Sequence, residues 1–186
     1  MPGLRVPGAF DEFELVIRAI LGQRISVRAA TTLAGRLATA FGEAVKTPFT
    51  DLNRLAPSAE RLARAHTSQL TALGIAATRA DCIRVVSRAV AGGDLELVTT
   101  ADPESVIQSL KKLPGIGEWT AQYIAMRALH WPDAFPDGDL VLLKASGQQS
   151  ARALREIAEA WRPWRAYAAI NLWYSRNLPN GKPKND

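Results

Sequence analysis

The sequence predicts an all-α fold of about ten short helices joined by short connections. Apolar residues recur every three to four positions along most of the chain, a spacing that gives a helix one buried face. Capping residues and glycines separate these segments, and no convincing run of alternating polar and apolar residues indicates strands. The 186 residues, of which 47% are hydrophobic, suit one domain, or one compact domain of two lobes.

The helices of the first half are recognised by a capping residue at the start and a glycine at the end. Asp11 and Gly22 bound the first helix, and Ser26 and Gly42 bound the second. In order, we expect helices between Asp11 and Gly22, over 27–41 and 58–65, around 70–73, and over 77–91.

The second half follows the same rules around two irregular segments. Asp102 as N-cap and Pro103 at the first helical position open a helix that reaches about Lys111. A tight turn over 113–117 and a loop over 131–138 rich in proline and aspartate interrupt the helices. The next three helices are expected over 118–129, 140–146 and 150–161. A last helix is expected to begin with Pro163 at its first position and to reach about 177. The polar tail over 179–186 is expected to be flexible.

Composition excludes several classes of protein. A single cysteine, Cys82, allows no internal disulfide, zinc ribbon or four-cysteine iron–sulfur cluster, and two histidines leave few ligands for a His/Cys metal site. No apolar run approaches the roughly 20 residues that span a bilayer. The net charge of +5 permits a polyanionic partner such as nucleic acid without establishing one.

The most specific segment is the turn between two predicted helices within residues 111–127. Gly115 and Gly117 flank one apolar residue directly before a helix, so the backbone can approach a partner and the helix amides can hold a phosphate. A Walker lysine is missing, and the second helix is too apolar to be a base-reading recognition helix. The alternative is an αα-hairpin whose glycines only permit close packing.

The aromatic residues are unevenly distributed. All five tryptophans and all three tyrosines lie between Trp119 and Tyr174. They indicate either an aromatic core of the C-terminal helices or a pocket lined by aromatic rings.

Four motifs in the same chain resemble those of the alkylbase branch of the helix–hairpin–helix DNA glycosylases. The resemblance runs from about Phe10 to Tyr174 in the expected order. Its motifs are Ile20-Leu-Gly-Gln-Arg-Ile-Ser-Val27, Leu113-Pro-Gly-Ile-Gly117 followed by Thr120-Ala121, Phe135-Pro-Asp-Gly-Asp-Leu140, and Trp161-Arg-Pro-Trp-Arg-Ala-Tyr167 with Asn171-Leu-Trp-Tyr174.

The resemblance implies a two-lobed catalytic domain over 1–178, with an active-site cleft between the lobes, a hairpin over 110–127 and an aspartate loop over 131–139. It assigns Asp139 as the catalytic anion, with Asp137 as a rival and a plain N-cap as the alternative role for Asp139. The implied base pocket is Trp119, Tyr123 and Trp173, and the implied DNA contacts are Gln23, Arg24, Gly115, Gly117 and Thr120. It also implies a structural Na⁺ or K⁺ held by the main-chain carbonyls of Lys111, Leu113 and Ile116.

The implied activity is hydrolytic excision of 3-methyladenine and 7-methylguanine from double-stranded DNA, which leaves an abasic site. Related lyases carry a lysine where this chain has Trp119, so a monofunctional enzyme is expected, without a required cofactor or iron–sulfur cluster. We expect a monomer in the bacterial cytoplasm, associated with the nucleoid through DNA. Three alternatives stay open: a noncatalytic helix–hairpin–helix DNA-binding module, a helical protein-interaction domain, and a glycosylase for oxidised or mismatched bases.

Overall fold

A computed structural model describes residues 3–176 of the protein. These residues form ten α-helices and one 3₁₀ helix, with no strand beyond an isolated bridge between Ala44 and Arg54, so the predicted all-α class is confirmed. The predicted tail over 179–186 lies outside the described residues. The helices are α1 (Glu12–Leu21), α2 (Val27–Phe41), α3 (Ala59–Arg64), α4 (Thr67–Thr71), α5 (Ala77–Ala91), α6 (Pro103–Lys111), α7 (Glu118–Arg127), α8 (Leu140–Ser146), α9 (Ala151–Ala158), followed by the 3₁₀ helix Glu159–Trp161, and α10 (Arg165–Arg176).

Local capping explains why most helix starts agree with the sequence. The Asp11 side chain accepts a hydrogen bond from the Glu14 amide at 2.6 Å, and the Ser26 side chain accepts one from the Ala29 amide at 3.2 Å. Asp102 caps α6 in the same way. Each cap satisfies one of the amides that a helix N-terminus leaves without a partner.

The last helix begins later than predicted. Pro163 is not its first residue, because the Trp164 amide donates to the Trp161 carbonyl at 2.8 Å and closes a turn around the proline. The Trp164 carbonyl then accepts from the amides of Tyr167 and Ala168, which places the start of α10 at Arg165. Pro163 therefore belongs to the turn between the 3₁₀ helix and α10.

Helix α1 is the centre of the core. Its Val16, Ile20 and Leu21 are fully buried, and the helix packs against α2, α5 and α7. Helices α3 and α4 pack on α5, and α6 packs on α7, so α1 to α7 form one lobe. Helices α8 to α10 pack mainly on one another and form a second lobe.

The loop between α7 and α8 joins the lobes and is fixed by buried charges. Asp133 accepts hydrogen bonds from Nε and Nη2 of Arg165 at 2.7 and 2.8 Å, and both residues are buried. Asp137 pairs with Nε of Arg155 on α9 at 2.5 Å. The Phe135 amide donates to the side chain of Gln122 on α7 at 3.0 Å. The segment that leads to Asp139 is thus anchored to three helices.

Among residues 3–176, none of the helices is both long enough and apolar enough to cross a membrane.

Candidate active site between the two lobes

A cavity of about 440 Å³ lies between the lobes. Residues of α1, α2, α7 and α10 line it, together with the residue that immediately precedes α8. The structure brings the predicted catalytic and base-pocket residues together in this wall. These residues are Asp139, Trp119, Tyr123 and Trp173. They come from three separate segments of the chain, so only the fold can assemble them.

Asp139 is the N-cap of α8 and accepts four hydrogen bonds. Its Oδ1 accepts from the amides of Val141 and Leu142, both at 2.9 Å, and from the indole N–H of Trp173 at 3.0 Å. Its Oδ2 accepts from the indole N–H of Trp119 at 2.8 Å. The capping role and the position in the cavity are therefore properties of the same residue.

This arrangement is suited to a fixed anion. The donors around Asp139 are neutral N–H groups, and no cationic side chain pairs with its carboxylate in the described part of the chain. Oδ2 receives one hydrogen bond, which leaves lone-pair capacity for a reacting group in the cavity. A preorganised, unneutralised carboxylate stabilises positive charge that develops beside it.

The predicted base-pocket rings contact one another. Trp119 and Tyr123 stack with centroids 5.2 Å apart and planes within 11°, and Tyr123 lies 6.4 Å from Trp173. All three rings are half-buried and line the cavity. Trp161 instead packs edge-on against Phe135. The C-terminal helices thus have both an aromatic core and an aromatic pocket.

Arg127 is a pocket residue that the sequence analysis missed. Its Nη1 donates to the Tyr123 hydroxyl at 2.9 Å, and its guanidinium carbon lies 5.5 Å from the centre of that ring. Its Nε is buried without a hydrogen-bond partner. The available signal was spacing, because Trp119, Tyr123 and Arg127 follow one another at intervals of four along α7.

Asp137, the rival to Asp139, faces away from the aromatic cavity. It is buried and paired with Arg155 in the wall of a different cavity. His130 also lies outside the aromatic pocket. It follows α7 in a left-handed conformation with φ of 55°, and Gly8 packs against its ring.

The two hairpin glycines have different structural roles. Gly115 has φ of +91°, and a Cβ there would lie 2.9 Å from Sγ of Cys82, so this glycine is needed for close packing. Gly117 is the N-cap of α7 and supplies no side-chain cap. A Cβ on Gly117 would meet nothing within 4 Å, and the amides of residues 117–119 donate no hydrogen bond within the described chain, so the amides of this helix N-terminus are open to a partner.

Of the other three predicted DNA contacts, two form hydrogen bonds within the protein and one is exposed. Gln23 donates from Nε2 to the Gly115 carbonyl at 3.0 Å and to the Thr120 hydroxyl at 3.1 Å, so it ties the α1–α2 turn to the hairpin. Thr120 is buried, and its side chain serves this internal contact. Arg24 is exposed, with φ of 55°, at the tip of the same turn.

The hairpin carbonyls predicted to hold a cation are partly free. The Leu113 carbonyl accepts from the Ile116 amide at 3.1 Å, whereas the carbonyls of Lys111 and Ile116 accept no hydrogen bond within the described residues. Free carbonyl oxygens in a turn are suitable ligands for Na⁺ or K⁺. Across the hairpin, Nζ of Lys111 lies 2.5 Å from a Glu118 oxygen; burial acts to raise the pKa of Glu118, but hydrogen bonds from Lys111 and Gln122 hold it below its ordinary value.

Comparison with known proteins identifies the class that this fold and site define. Residues 17–162 match the HhH-GPD superfamily of base excision DNA repair proteins, and the chain belongs to that family. It is 39% identical over 175 residues to DNA-3-methyladenine glycosylase 2 of Escherichia coli and 31% identical over 180 residues to DNA-3-methyladenine glycosylase of Bacillus subtilis. These matches cover 94% and 92% of this chain, but the chain spans only 61% and 59% of the length of the two relatives.

A solved structure shows the same fold. The 3-methyladenine DNA glycosylase of Archaeoglobus fulgidus superimposes with a TM-score of 0.77 at 26% identity, over 92% of this chain and 60% of that one.

Proposed function

We propose that the chain is the catalytic domain of a monofunctional DNA glycosylase that excises alkylated purines. The observation that carries the proposal is the Asp139 carboxylate, held by four N–H donors in an aromatic cavity. Its curated relatives are named 3-methyladenine glycosylases, which supports the same substrate class. We place its substrate in duplex DNA and its site of action in the bacterial cytoplasm, where it works as a monomer.

The reaction breaks the bond between C1′ of the sugar and the nitrogen of the base. A purine alkylated at N3 or N7 carries a positive charge, so it takes the bonding electrons and departs as a neutral base without a general acid. The sugar becomes an oxocarbenium ion that the Asp139 carboxylate stabilises across a short distance. Water adds at C1′ and loses its proton to Asp139 or solvent, which leaves an abasic site.

The damaged base must leave the duplex to reach the cavity, at a cost of a few kcal/mol that is smallest for weakly paired lesions. Arg24, exposed at the tip of its turn, fills the gap left in the stack. The open amides of the α7 N-terminus at Gly117 hold a phosphate nearby. The carbonyls of Lys111, Leu113 and Ile116 would hold a Na⁺ or K⁺, which would supply positive charge to offset that phosphate. A DNA complex in which this hairpin lies far from every phosphate would overturn the arrangement.

We infer that the chain lacks lyase activity from the residue that occupies the position of a lyase lysine. That residue is Trp119, and no lysine lines the aromatic cavity within residues 3–176. We predict that Trp119→Lys does not create strand nicking, because a Schiff-base lysine needs a lowered pKa and correct aim. Base excision should instead fall, since the new cation repels a cationic base. Nicking and release are measured together on a denaturing gel, and efficient nicking by the variant would refute the hydrolytic mechanism.

One assay tests the function itself. Methylated duplex DNA is incubated with the protein, and the free bases are separated and identified. We expect 3-methyladenine and 7-methylguanine to appear while the strand stays intact. Duplex binding without any released base would favour a noncatalytic module, and release of oxidised or mismatched bases alone would favour the other glycosylase class.

A further inference from the structure

A second groove adjoins the aromatic cavity, and it is basic. It has a volume of about 490 Å³ and lies between α2 and the start of α5. Arg28, Arg36 and Arg79 line it, and its wall contains no aspartate or glutamate among residues 3–176. Ile25 belongs to the wall of both the groove and the aromatic cavity, so the two sites are neighbours.

The arginines of this groove differ from the arginines that stabilise the fold. Arg155, Arg162 and Arg165 pair with carboxylates, whereas none of the groove arginines has a carboxylate oxygen within 4 Å in the described chain. Such charges remain available for an external anion. The groove therefore concentrates three uncompensated positive charges beside the candidate active site.

Two features hold the groove in shape. Arg36 donates from Nη1 to the Leu73 carbonyl at 3.0 Å, and a Cβ on Gly74 would come within 3.1 Å of the same nitrogen. Gly74 has φ of +89°, so the backbone there turns in a way that favours glycine. Arg36 is thus positioned by main-chain contacts while its remaining donors stay free.

The spacing of the arginines suits a polyanion with regularly placed charges. Arg28 and Arg36 are eight residues apart on α2, which corresponds to about 12 Å along the helix axis. One strand of a DNA duplex rises about 3.4 Å per nucleotide along the duplex axis, so a stretch of about 12 Å along that axis contains roughly three to four phosphates of one strand. The N-terminus of α2, capped by Ser26, lies at the end of the groove nearest the aromatic cavity.

We propose that this groove is a second DNA-backbone site, in which Arg28, Arg36 and Arg79 bind phosphates of the duplex that flanks the lesion. The proposal rests on the proposed function, because it takes the aromatic cavity as the position of the flipped base. The groove supplies affinity independent of base sequence, and it takes no part in the bond-breaking step.

The salt dependence of duplex binding tests the groove directly. The affinity of the full chain for an undamaged duplex is measured over a range of salt concentrations for the wild type and for Arg28→Ala/Arg36→Ala/Arg79→Ala. The slope of log K against log salt is negative, and each lost phosphate contact reduces its magnitude by about 0.9. We therefore expect the slope of the triple variant to be smaller in magnitude by about 2 to 3. Single-turnover base release at saturating enzyme should stay within about twofold of the wild type.

A matched control variant removes three arginines that do not line the groove. Arg61, Arg64 and Arg88 are exposed, and Arg88 lies nine positions after Arg79 on α5, which places it on the opposite side of that helix. Their triple alanine variant should leave the slope nearly unchanged. Equal slopes for the wild type and the groove variant, or equal losses in the two variants, would overturn the groove proposal. A wild-type protein that releases no alkylated base would instead contradict the proposed function. The salt-dependence slopes would still decide whether the groove binds DNA phosphates.

Discussion

Asp139 shows how a single residue can satisfy two demands. As N-cap it fixes the first turn of α8, and the same contacts aim its carboxylate into the aromatic cavity. Its capping role was predictable from the sequence, because a cap needs only neighbouring residues. The two indole donors were not, because Trp119 and Trp173 are 20 residues before it and 34 residues after it.

Arg127 bears on which bases are released. Cationic 7-methylguanine should leave fastest and neutral hypoxanthine slowly, because the described wall of the aromatic cavity has no histidine or glutamate to protonate a neutral base. Arg127 is a charged donor in that wall, so Arg127→Met should slow hypoxanthine release, whereas 7-methylguanine release should not fall, because a positive charge near that cationic base is removed. Single-turnover excision from matched duplexes measures both rates. Hypoxanthine released as fast as 7-methylguanine by the wild type would refute this order.

Cys82 should be chemically inert in the folded protein. It packs beneath Gly115, and burial raises the pKa of its thiol to about 11. Only the thiolate is reactive, so its alkylation by iodoacetamide at pH 8 should be at least about 100-fold slower than that of an unfolded control in urea. The folded-state rate should climb as the pH approaches 11. Rapid modification of the folded protein near neutral pH would show that the hairpin does not pack on α5 as described.

Among the helices and turns, prediction from the sequence succeeds where the deciding interactions join neighbouring residues and fails where they join distant ones. Helices α1, α2, α5 and α6 begin where the sequence predicts because caps and apolar spacing are local. The start of α10 was misplaced because the turn at Pro163 depends on hydrogen bonds from Trp164. The tie from Gln23 to the hairpin spans 92 and 97 positions, and no local pattern announces it.

The clamp on the aspartate loop predicts unequal costs for removing two arginines. Arg165 is buried against Asp133, whereas Arg152 forms an exposed pair with Glu156 on α9. Arg165→Met should lower the free energy of unfolding by about 1–3 kcal/mol, because it removes two hydrogen bonds to a buried carboxylate that keeps Arg162 as its other partner. Arg152→Met should cost less than about 1 kcal/mol. Urea unfolding compares the two, and equal costs would mean that the loop is not held by the buried pair.

For the whole molecule, function depends on how the lobes meet. The first lobe supplies Trp119 and Tyr123, the second supplies Trp173, and the clamped loop brings Asp139 between them. The sequence resemblance predicted these residues, and the packing of the two lobes brings them together in space. The basic groove had no sequence motif, because its arginines become neighbours only when α2 packs beside the start of α5.

The most direct test of the account is single-turnover release of 7-methylguanine by the wild type and by Asp139→Asn. Asparagine also caps helices, so α8 should persist, while the negative charge beside the sugar is lost. Asp102→Asn is the matched control, since Asp102 is also an N-cap but lies on α6 away from the cavity. We predict that Asp139→Asn slows release by at least about 100-fold with duplex affinity unchanged, and that Asp102→Asn releases base at the wild-type rate. Release by Asp139→Asn within a few-fold of the wild type would contradict the assignment of Asp139 as the catalytic anion.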